Sequence, residues 1–251
     1  MERLRDKVAL ISGGAGSIGA ATARLFVAQG ARVVITDLDG PALDELAAEL
    51  GESAAAHPAD ITDSAQVRSA VDVAVGRFGG LDIAFANAGV FGAIAPVAEY
   101  PEDVFDHVMA VNVRGAFLVA RHALAVMRDG GSLILNSSVV GLTSDPGICA
   151  YATSKHALVG LMRTAAKEGA PRGIRVNSLH PGPVDNAFQH RIEVTATGQA
   201  EADAAALFEQ MIPLRRHATP EEIAHAALFL AGDESAFLTG AAVPVDGGMS
   251  I

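Results

Sequence analysis

Val8-Ala9-Leu10-Ile11-Ser12-Gly13-Gly14-Ala15-Gly16-Ser17-Ile18-Gly19-Ala20-Ala21-Thr22-Ala23-Arg24-Leu25-Phe26 starts as an apolar run, breaks into four glycines over seven positions, and resumes as a helix-patterned run. Strand, glycine turn and helix therefore follow in order. This puts the turn at the carboxyl end of a strand and the amino end of a helix. Glycines let the backbone turn tightly there and approach a bound group closely. The free amides and positive dipole end of the helix face an anion such as a pyrophosphate.

The same alternation continues through the chain. Short apolar or β-branched runs at Val8 to Ile11, Arg32 to Thr36, Ala54 to Pro58, Leu81 to Ala86, Ser132 to Asn136, Ile174 to Leu179 and Ala242 to Val245 read as strands. Helix patterns lie between them at about Ser17 to Gln29, Pro41 to Leu50, Ser64 to Arg77, Pro101 to Met127, Tyr151 to Glu168 and Pro220 to Leu230. Strands separated by helices imply crossover connections, hence an α/β fold with a parallel sheet of about seven strands flanked by helices. Pro244 has no amide hydrogen and suits an edge strand. Pro181 to Pro213 is the least patterned stretch and ends in an alanine-rich helix-like segment; a segment this long in a compact domain reads as a lid or binding loop.

The chain has 251 residues, enough for one large core, and half of them are hydrophobic. Its 18 Lys and Arg against 29 Asp and Glu leave a formal net charge of −11. Without clustered cations to displace counterions, a nucleic-acid partner is not expected. No uninterrupted apolar run approaches the roughly 18 to 20 residues of a membrane helix, so no membrane is expected either. The lone Cys149 cannot form an internal disulfide, and Val8 to Ile11 is too short for the apolar stretch of a secretion signal. A cytoplasmic location is the default.

Asp37 closes the second strand 18 residues beyond Gly19, where a carboxylate would accept both ribose hydroxyls of an adenosine. Glycine turn and acid together outweigh a mere flexible turn and point to a dinucleotide. Asp37 would repel the extra phosphate of NADP, and neither Gly16 nor Leu38 supplies a compensating cation, so NAD is favoured. Asp60-Ile61 follows the third strand and Asn87-Ala88-Gly89 the fourth, at the carboxyl ends where a parallel sheet gathers its ligand. Asp60 would accept from the adenine amino group, or cap the helix near Ser64 in competition with Thr62, Asp63 and Ser64.

Tyr151 and Lys155, four apart on a helix pattern, share one face. A free phenol has a pKa of about 10, and an adjacent ammonium stabilises the phenolate. The pair would thus act as a base in alcohol oxidation and an acid in carbonyl reduction. A serine at the end of the preceding strand, in Asn136-Ser137-Ser138, can hold the substrate oxygen as charge develops.

In order, Gly13 to Gly19, Asp37, Asp60, Asn87-Ala88-Gly89, Asn112, Ser138, Tyr151, Lys155, Pro181-Gly182 and Asp246-Gly247-Gly248 resemble the short-chain dehydrogenase/reductase family in its compact branch, across essentially the whole chain. The resemblance implies a single Rossmann-type, doubly wound NAD(P)-binding domain over residues 1–251 with a substrate lid at about 184–213. It implies that Tyr151 is the acid/base, that Lys155 lowers its pKa and binds the nicotinamide ribose, and that Ser138 orients the substrate oxygen. Ser138 rather than Ser137 is chosen because its spacing of 13 residues to Tyr151 is similar to the family's. Asn112 would anchor a water in a proton relay from Lys155, or serve only as a kink or cap. Gly13, Gly16, Ser17, Ile18, Gly19, Asp37, Asp60, Ile61, Asn87, Gly89, Tyr151, Lys155, Pro181, Gly182, Val184 and Asn186 are the implied cofactor contacts. The chain departs from the family pattern at Ser17, where a glycine is usual, at Ala86, where a first asparagine is common, and at Asn186, where a threonine often bonds the nicotinamide amide. The turn also reads as Gly13-x-x-Gly16-x-x-Gly19, which looks like the extended branch.

The expected substrate is a mainly apolar secondary alcohol or its ketone. Phe188, Ile192, Leu207, Phe208 and Met211 would close a pocket with Val139, Val140, Ile148 and Phe91, while Gln189, His190 and Arg191 would grip a polar group. Cys149, two residues before Tyr151, would line that pocket or simply be buried. No Gly-x-Ser-x-Gly elbow or His-Glu-x-x-His motif occurs, so neither a serine hydrolase nor a catalytic metal is expected. The stretch from Asn112 to Met127 is apolar nearly all round and needs cover on two sides, the sheet and a partner subunit; the resemblance implies a homotetramer or homodimer. Two other functions compete: an epimerase or dehydratase using NAD without net turnover, and a catalytically silent NAD-binding scaffold.

Overall fold

Residues of β1 (Val8–Ser12) alternate between two faces of the sheet: Val8 and Leu10 enter one hydrophobic layer, Ala9 and Ile11 the other. Both faces are covered, so the strand is apolar along its length instead of alternating with polar residues. In the computed structural model, which describes residues 2–38 and 40–251, this pattern extends over a seven-stranded sheet. The other strands are β2 (Arg32–Thr36), β3 (Ala54–Ala56), β4 (Ile83–Ala86), β5 (Ser132–Asn136), β6 (Arg175–Pro181) and β7 (Ala242–Val245). Every pairing is parallel and the order is β3-β2-β1-β4-β5-β6-β7. This is the Rossmann-type doubly wound arrangement. β7 is an edge strand, as Pro244 requires.

The helices are α1 (Ser17–Ala28), α2 (Gly40–Leu50), α3 (Ser64–Phe78), α4 (Glu102–Val108), α5 (Ala116–Val126), α6 (Cys149–Gly169), α7 (Ala187–Thr197), α8 (Glu201–Met211) and α9 (Pro220–Ala231). One layer packs Val67, Leu118, Val119, Leu158 and Met162 of α3, α5 and α6 on the sheet; the other packs Phe26, Leu43, Ile223 and Leu228 of α1, α2 and α9. Each such fully buried side chain contributes roughly 1.5 to 3 kcal/mol. Local signals fix several ends. Thr219 and Glu222 form a capping box with Pro220 at the first position of α9. The cap of α3 is Asp63, whose side chain accepts from the amides of Ala65 and Gln66. Asp60 is not a cap; its Oδ1 accepts from the Thr62 amide and hydroxyl.

Four expectations need correction. The strand expected over Ala54 to Pro58 stops at Ala56, and the one expected from Leu81 starts at Ile83, because pairing ends there. The helix expected over Pro101 to Met127 is interrupted by a π-helical stretch, Met109–Gly115. Gly115 sits within it against Ile61, where a Cβ would collide. Glu102–Val126 is by length and hydropathy long enough to cross a membrane, yet here its inner face lies on the sheet, with Leu118, Ala120 and Ala123 buried. Finally, the weakly patterned stretch after Pro181 holds an unexpected helix, α7, ahead of α8, which is the alanine-rich helix-like segment read from the sequence. Asn186 caps α7 and Gly198 ends it with φ 67°; these local signals lie outside any clear apolar periodicity.

Candidate active site

The chain order reverses between β1 and β4, and a crevice opens beyond the carboxyl ends of these strands. The cavity there has a volume of about 480 Å³. Gly13, Gly16, Ser17, Ile18 and Asp37 line one end; Ser138, Tyr151 and Lys155 line the other, with Asn87, Gly89, Pro181, Gly182, Val184 and Asn186 between them.

At the glycine end, Gly13 has φ 67°, and a Cβ on it would lie 2.8 Å from Ala88 Cα. A Cβ on Gly19 would run into the Gly13 carbonyl oxygen, so Gly19 serves the packing of α1 and does not itself line the cavity. The N-cap residue of α1 is Gly16, which offers no side-chain cap. The first amides of α1 are thus left for an anion in the crevice, which fits a pyrophosphate. At the end of β2, Asp37 is held by two amides, Leu38 N at 2.8 Å and Ala15 N at 3.1 Å, and its carboxylate still borders the cavity. Asp60 and Ile61 are not among the lining residues; Ile61 is buried against the π-helical stretch.

A row of asparagines joins the two ends. Asn87 Nδ2 donates to the Gly13 carbonyl oxygen at 3.1 Å, and Asn136 Nδ2 donates to Asn87 Oδ1 at 2.8 Å. The Asn136 carbonyl oxygen accepts from Lys155 Nζ at 2.9 Å. Asn136 was not singled out in the sequence because a main-chain acceptor leaves no side-chain signature. Asn112 is fully enclosed, and its amide is taken up by the Val90 amide and carbonyl and by Ser154 Oγ. It therefore fixes the loop after β4 to α6 from directly behind Gly89 of the cavity wall, where a Cβ would lie 3.2 Å from Asn112 Oδ1.

On α6, Lys155 is 4% exposed, with Nζ 5.4 Å from the centre of the Tyr151 ring. Phe91 supports that ring from 5.1 Å. Burial pushes Lys155 down to about 8 and Tyr151 up to about 12, with the Ser138 hydroxyl pulling Tyr151 back. The expected lowering of the tyrosine is thus not what this structure has. Both groups are desolvated, which penalises phenolate and ammonium alike. Ser138 is anchored through its carbonyl by His180, whose Nδ1 donates at 2.8 Å while Nε2 accepts from Ser178 Oγ. Burial lowers the His180 pKa, consistent with a neutral ring. Ser137 instead donates to the Lys155 carbonyl, at 2.9 Å.

The remaining wall is apolar. Phe91, Ile94, Val139, Val140, Ile148, Phe188, Ile192, Phe208 and Met211 line it, whereas Leu207 is 40% exposed and Cys149 lies outside the lining. Asp145, Pro146 and Met249 also border it and gave no signal in the sequence. Of the three polar candidates on α7, only Gln189 lines this cavity. His190 is held between Asp185 and Glu201, and Arg191 borders an adjoining hollow of about 340 Å³. Asn186 uses Oδ1 to cap α7 and Nδ2 to reach Ser17 Oγ at 3.0 Å.

Comparison with known proteins finds relatives in sequence and in fold. The family described as Enoyl-(Acyl carrier protein) reductase matches residues 13–250. Momilactone A synthase of Oryza sativa subsp. japonica is 41% identical over 99% of this chain and 92% of its own length. Short-chain dehydrogenase reductase 3a of Arabidopsis thaliana is 39% identical over 99% and 97%. Among solved structures, levodione reductase superposes with a TM-score of 0.95 at 33% identity, covering 99% of both chains. An NAD+-bound xylitol dehydrogenase gives 0.92 at 35%, covering 98% of this chain and all of that one. A blue fluorescent protein in complex with NADPH gives 0.90 at 34%, covering 99% and 100%.

Proposed function

We propose that the chain, which belongs to the short-chain dehydrogenase/reductase family of oxidoreductases, uses NAD to interconvert a mainly apolar secondary alcohol and its ketone. The observation that carries this reading is one cavity in which Tyr151, Lys155 and Ser138 face the same space as an uncapped helix terminus and Asp37. Gly13, Gly16, Ser17 and Ile18 would hold the pyrophosphate and Asp37 the adenosine ribose. Lys155 would hold the nicotinamide ribose. The bound cofactor supplies the hydride acceptor or donor.

The chain's own residues move the proton. Tyr151 gives its hydroxyl proton to the carbonyl oxygen in reduction and takes the alcohol proton in oxidation. With its pKa held near 12, the phenol is ready as an acid; as a base it needs a cation nearby, and the Lys155 ammonium is that cation. Ser138 donates to the substrate oxygen while charge builds on it. The apolar wall excludes water and selects an apolar carbon skeleton. Preference for NAD rests on Asp37. The relatives do not decide it, since one solved neighbour holds NAD+ and another NADPH.

We also propose a homo-oligomer, tetramer or dimer. On α5, Phe117 is 43% and Val126 40% exposed, and on α3, which packs against α5, Val75 is 40% exposed; these apolar side chains are ones a second subunit would cover.

NADH absorbance followed across secondary alcohols, polyols, steroids and hydroxy acids tests the function, with Tyr151→Phe as control. Turnover that depends on NAD and is lost in Tyr151→Phe is the expected result. Intact turnover in that variant defeats the acid/base assignment, and NAD retained without net turnover would favour an epimerase or dehydratase.

A further inference from the structure

The α7 wall of the cavity rests on a buried acid that the chemistry above does not use. Glu193 is 0% exposed, and its Oε1 takes two donors: Gln189 Nε2, one turn earlier, at 2.9 Å and His217 Nε2 at 2.6 Å. His217 is itself buried, with Nδ1 3.3 Å from Glu209 Oε1 on α8. Glu193 is thus tied to α7, α8 and the segment before α9 at once.

A carboxylate oxygen that already receives a hydrogen bond from His217 can only accept from the Gln189 amide. The amide must therefore turn its nitrogen to Glu193, which leaves Gln189 Oε1 on the other side. Among the described residues nothing donates to that oxygen, and it is not one of the sealed, unpartnered atoms of the core. Gln189 lines the cavity beside Phe188, Ile192, Phe208 and Met211. An acceptor in such apolar surroundings loses its water when substrate enters, and a substrate without a donor leaves it unpaired.

We propose that Gln189 Oε1 is a fixed acceptor for a second hydroxyl of the substrate, remote from the reacting carbon, and that Glu193 is the positioning residue that fixes its orientation. The substrate class narrows to mainly apolar alcohols or ketones bearing a further hydroxyl, in preference to the same skeleton bearing a further carbonyl. This inference rests on the cavity being the substrate site of the oxidoreductase proposed above.

The test pairs cyclic hydroxyketones with the corresponding diketones, from single six-membered rings to fused bicycles. Dissociation constants are measured by calorimetry on the full chain with NAD present, and kcat/KM by NADH absorbance. The hydroxyketone of the best-fitting skeleton is expected to bind about tenfold tighter than its diketone. Gln189→Met should bring the two within about twofold, and Glu193→Gln, which lets the amide turn either way, should fall between. If Glu193 only stiffened α7, its replacement would weaken both ligands alike and leave their ratio unchanged. Should Glu193→Gln not fold, Gln189→Met still reads the ratio. A wild-type protein without hydroxyl preference, or a preference that survives Gln189→Met, overturns the inference. Turnover that persists in Tyr151→Phe would instead overturn the reaction, while the binding ratio still reports on Gln189.

Discussion

Asn186 Nδ2 donates to Ser17 Oγ across 3.0 Å, joining the first residue of α1 to the cap of α7. These are two of the positions at which the chain departs from the family pattern, and they are each other's partners. The bond ties the segment that begins the apolar wall to the turn that would hold the pyrophosphate. Asn186→Ala removes both this bond and the cap on Gln189 N, and should cost about 1 kcal/mol. Asn186→Ser keeps a capping oxygen and loses only the bridge. Hydrogen exchange checks the distinction: α7 amides should exchange faster in the alanine variant and near wild-type rates in the serine variant.

The pH profile of the two reaction directions should diverge near pH 8. With Lys155 pushed down to about 8 and Tyr151 up to about 12, the first proton leaves the pair near pH 8. Ketone reduction needs both protons, so its kcat/KM should be full below about pH 8 and fall above it. Alcohol oxidation needs the pair one proton short, so it should climb to about pH 8 and then level. An oxidation profile flat from about pH 6 to 9 would contradict this.

Lys155→Met should abolish turnover and raise stability. The sign follows from burial: the lysine pKa falls from 10.5 to about 8, so the folded state resists the ammonium. That penalty is complete below about pH 8 and vanishes above the unfolded pKa. It amounts to about 3 kcal/mol at most, against about 1 kcal/mol for the lost bond to the Asn136 carbonyl. A net gain of about 1 to 2 kcal/mol at pH 7, shrinking as pH rises from about 8 toward 10.5, is the expected result of urea unfolding.

Asp37→Ser should weaken NAD and strengthen NADP. The wild type is expected to prefer NAD by at least about tenfold, because a carboxylate beside the ribose repels a phosphate. Fluorescence titration with both reduced cofactors measures the ratio, and a wild-type preference for NADP would remove Asp37 from its assigned role.

Phe117→Asp should shift the assembly toward monomer. Placing a charge at the middle of an apolar contact between subunits costs several kcal/mol when it stays unpaired. Sedimentation velocity at micromolar concentration reads the outcome; a wild-type protein that runs only as monomer would defeat the oligomer.

The amino-acid sequence alone determined the parallel α/β architecture, the edge position of β7, the glycine turn at the head of α1 and the one-turn spacing of Tyr151 and Lys155. These are local facts of periodicity, missing side chains and absent amide hydrogens, and each is written within a few neighbouring residues. Folding in three dimensions settled what depends on residues far apart in the chain. It broke the helix between Pro101 and Met127 at the π-helical stretch, made α7 from a weakly patterned segment, and recruited the Asn136 carbonyl for Lys155. It also spent the Asn112 and Asn186 side chains on neighbours, and turned the phenol pKa upward because desolvation depends on everything packed around a group. The same reason left Glu193 unnoticed: a single glutamate in a polar-looking helix carries no mark of the histidine, 24 residues on, that shares its burial.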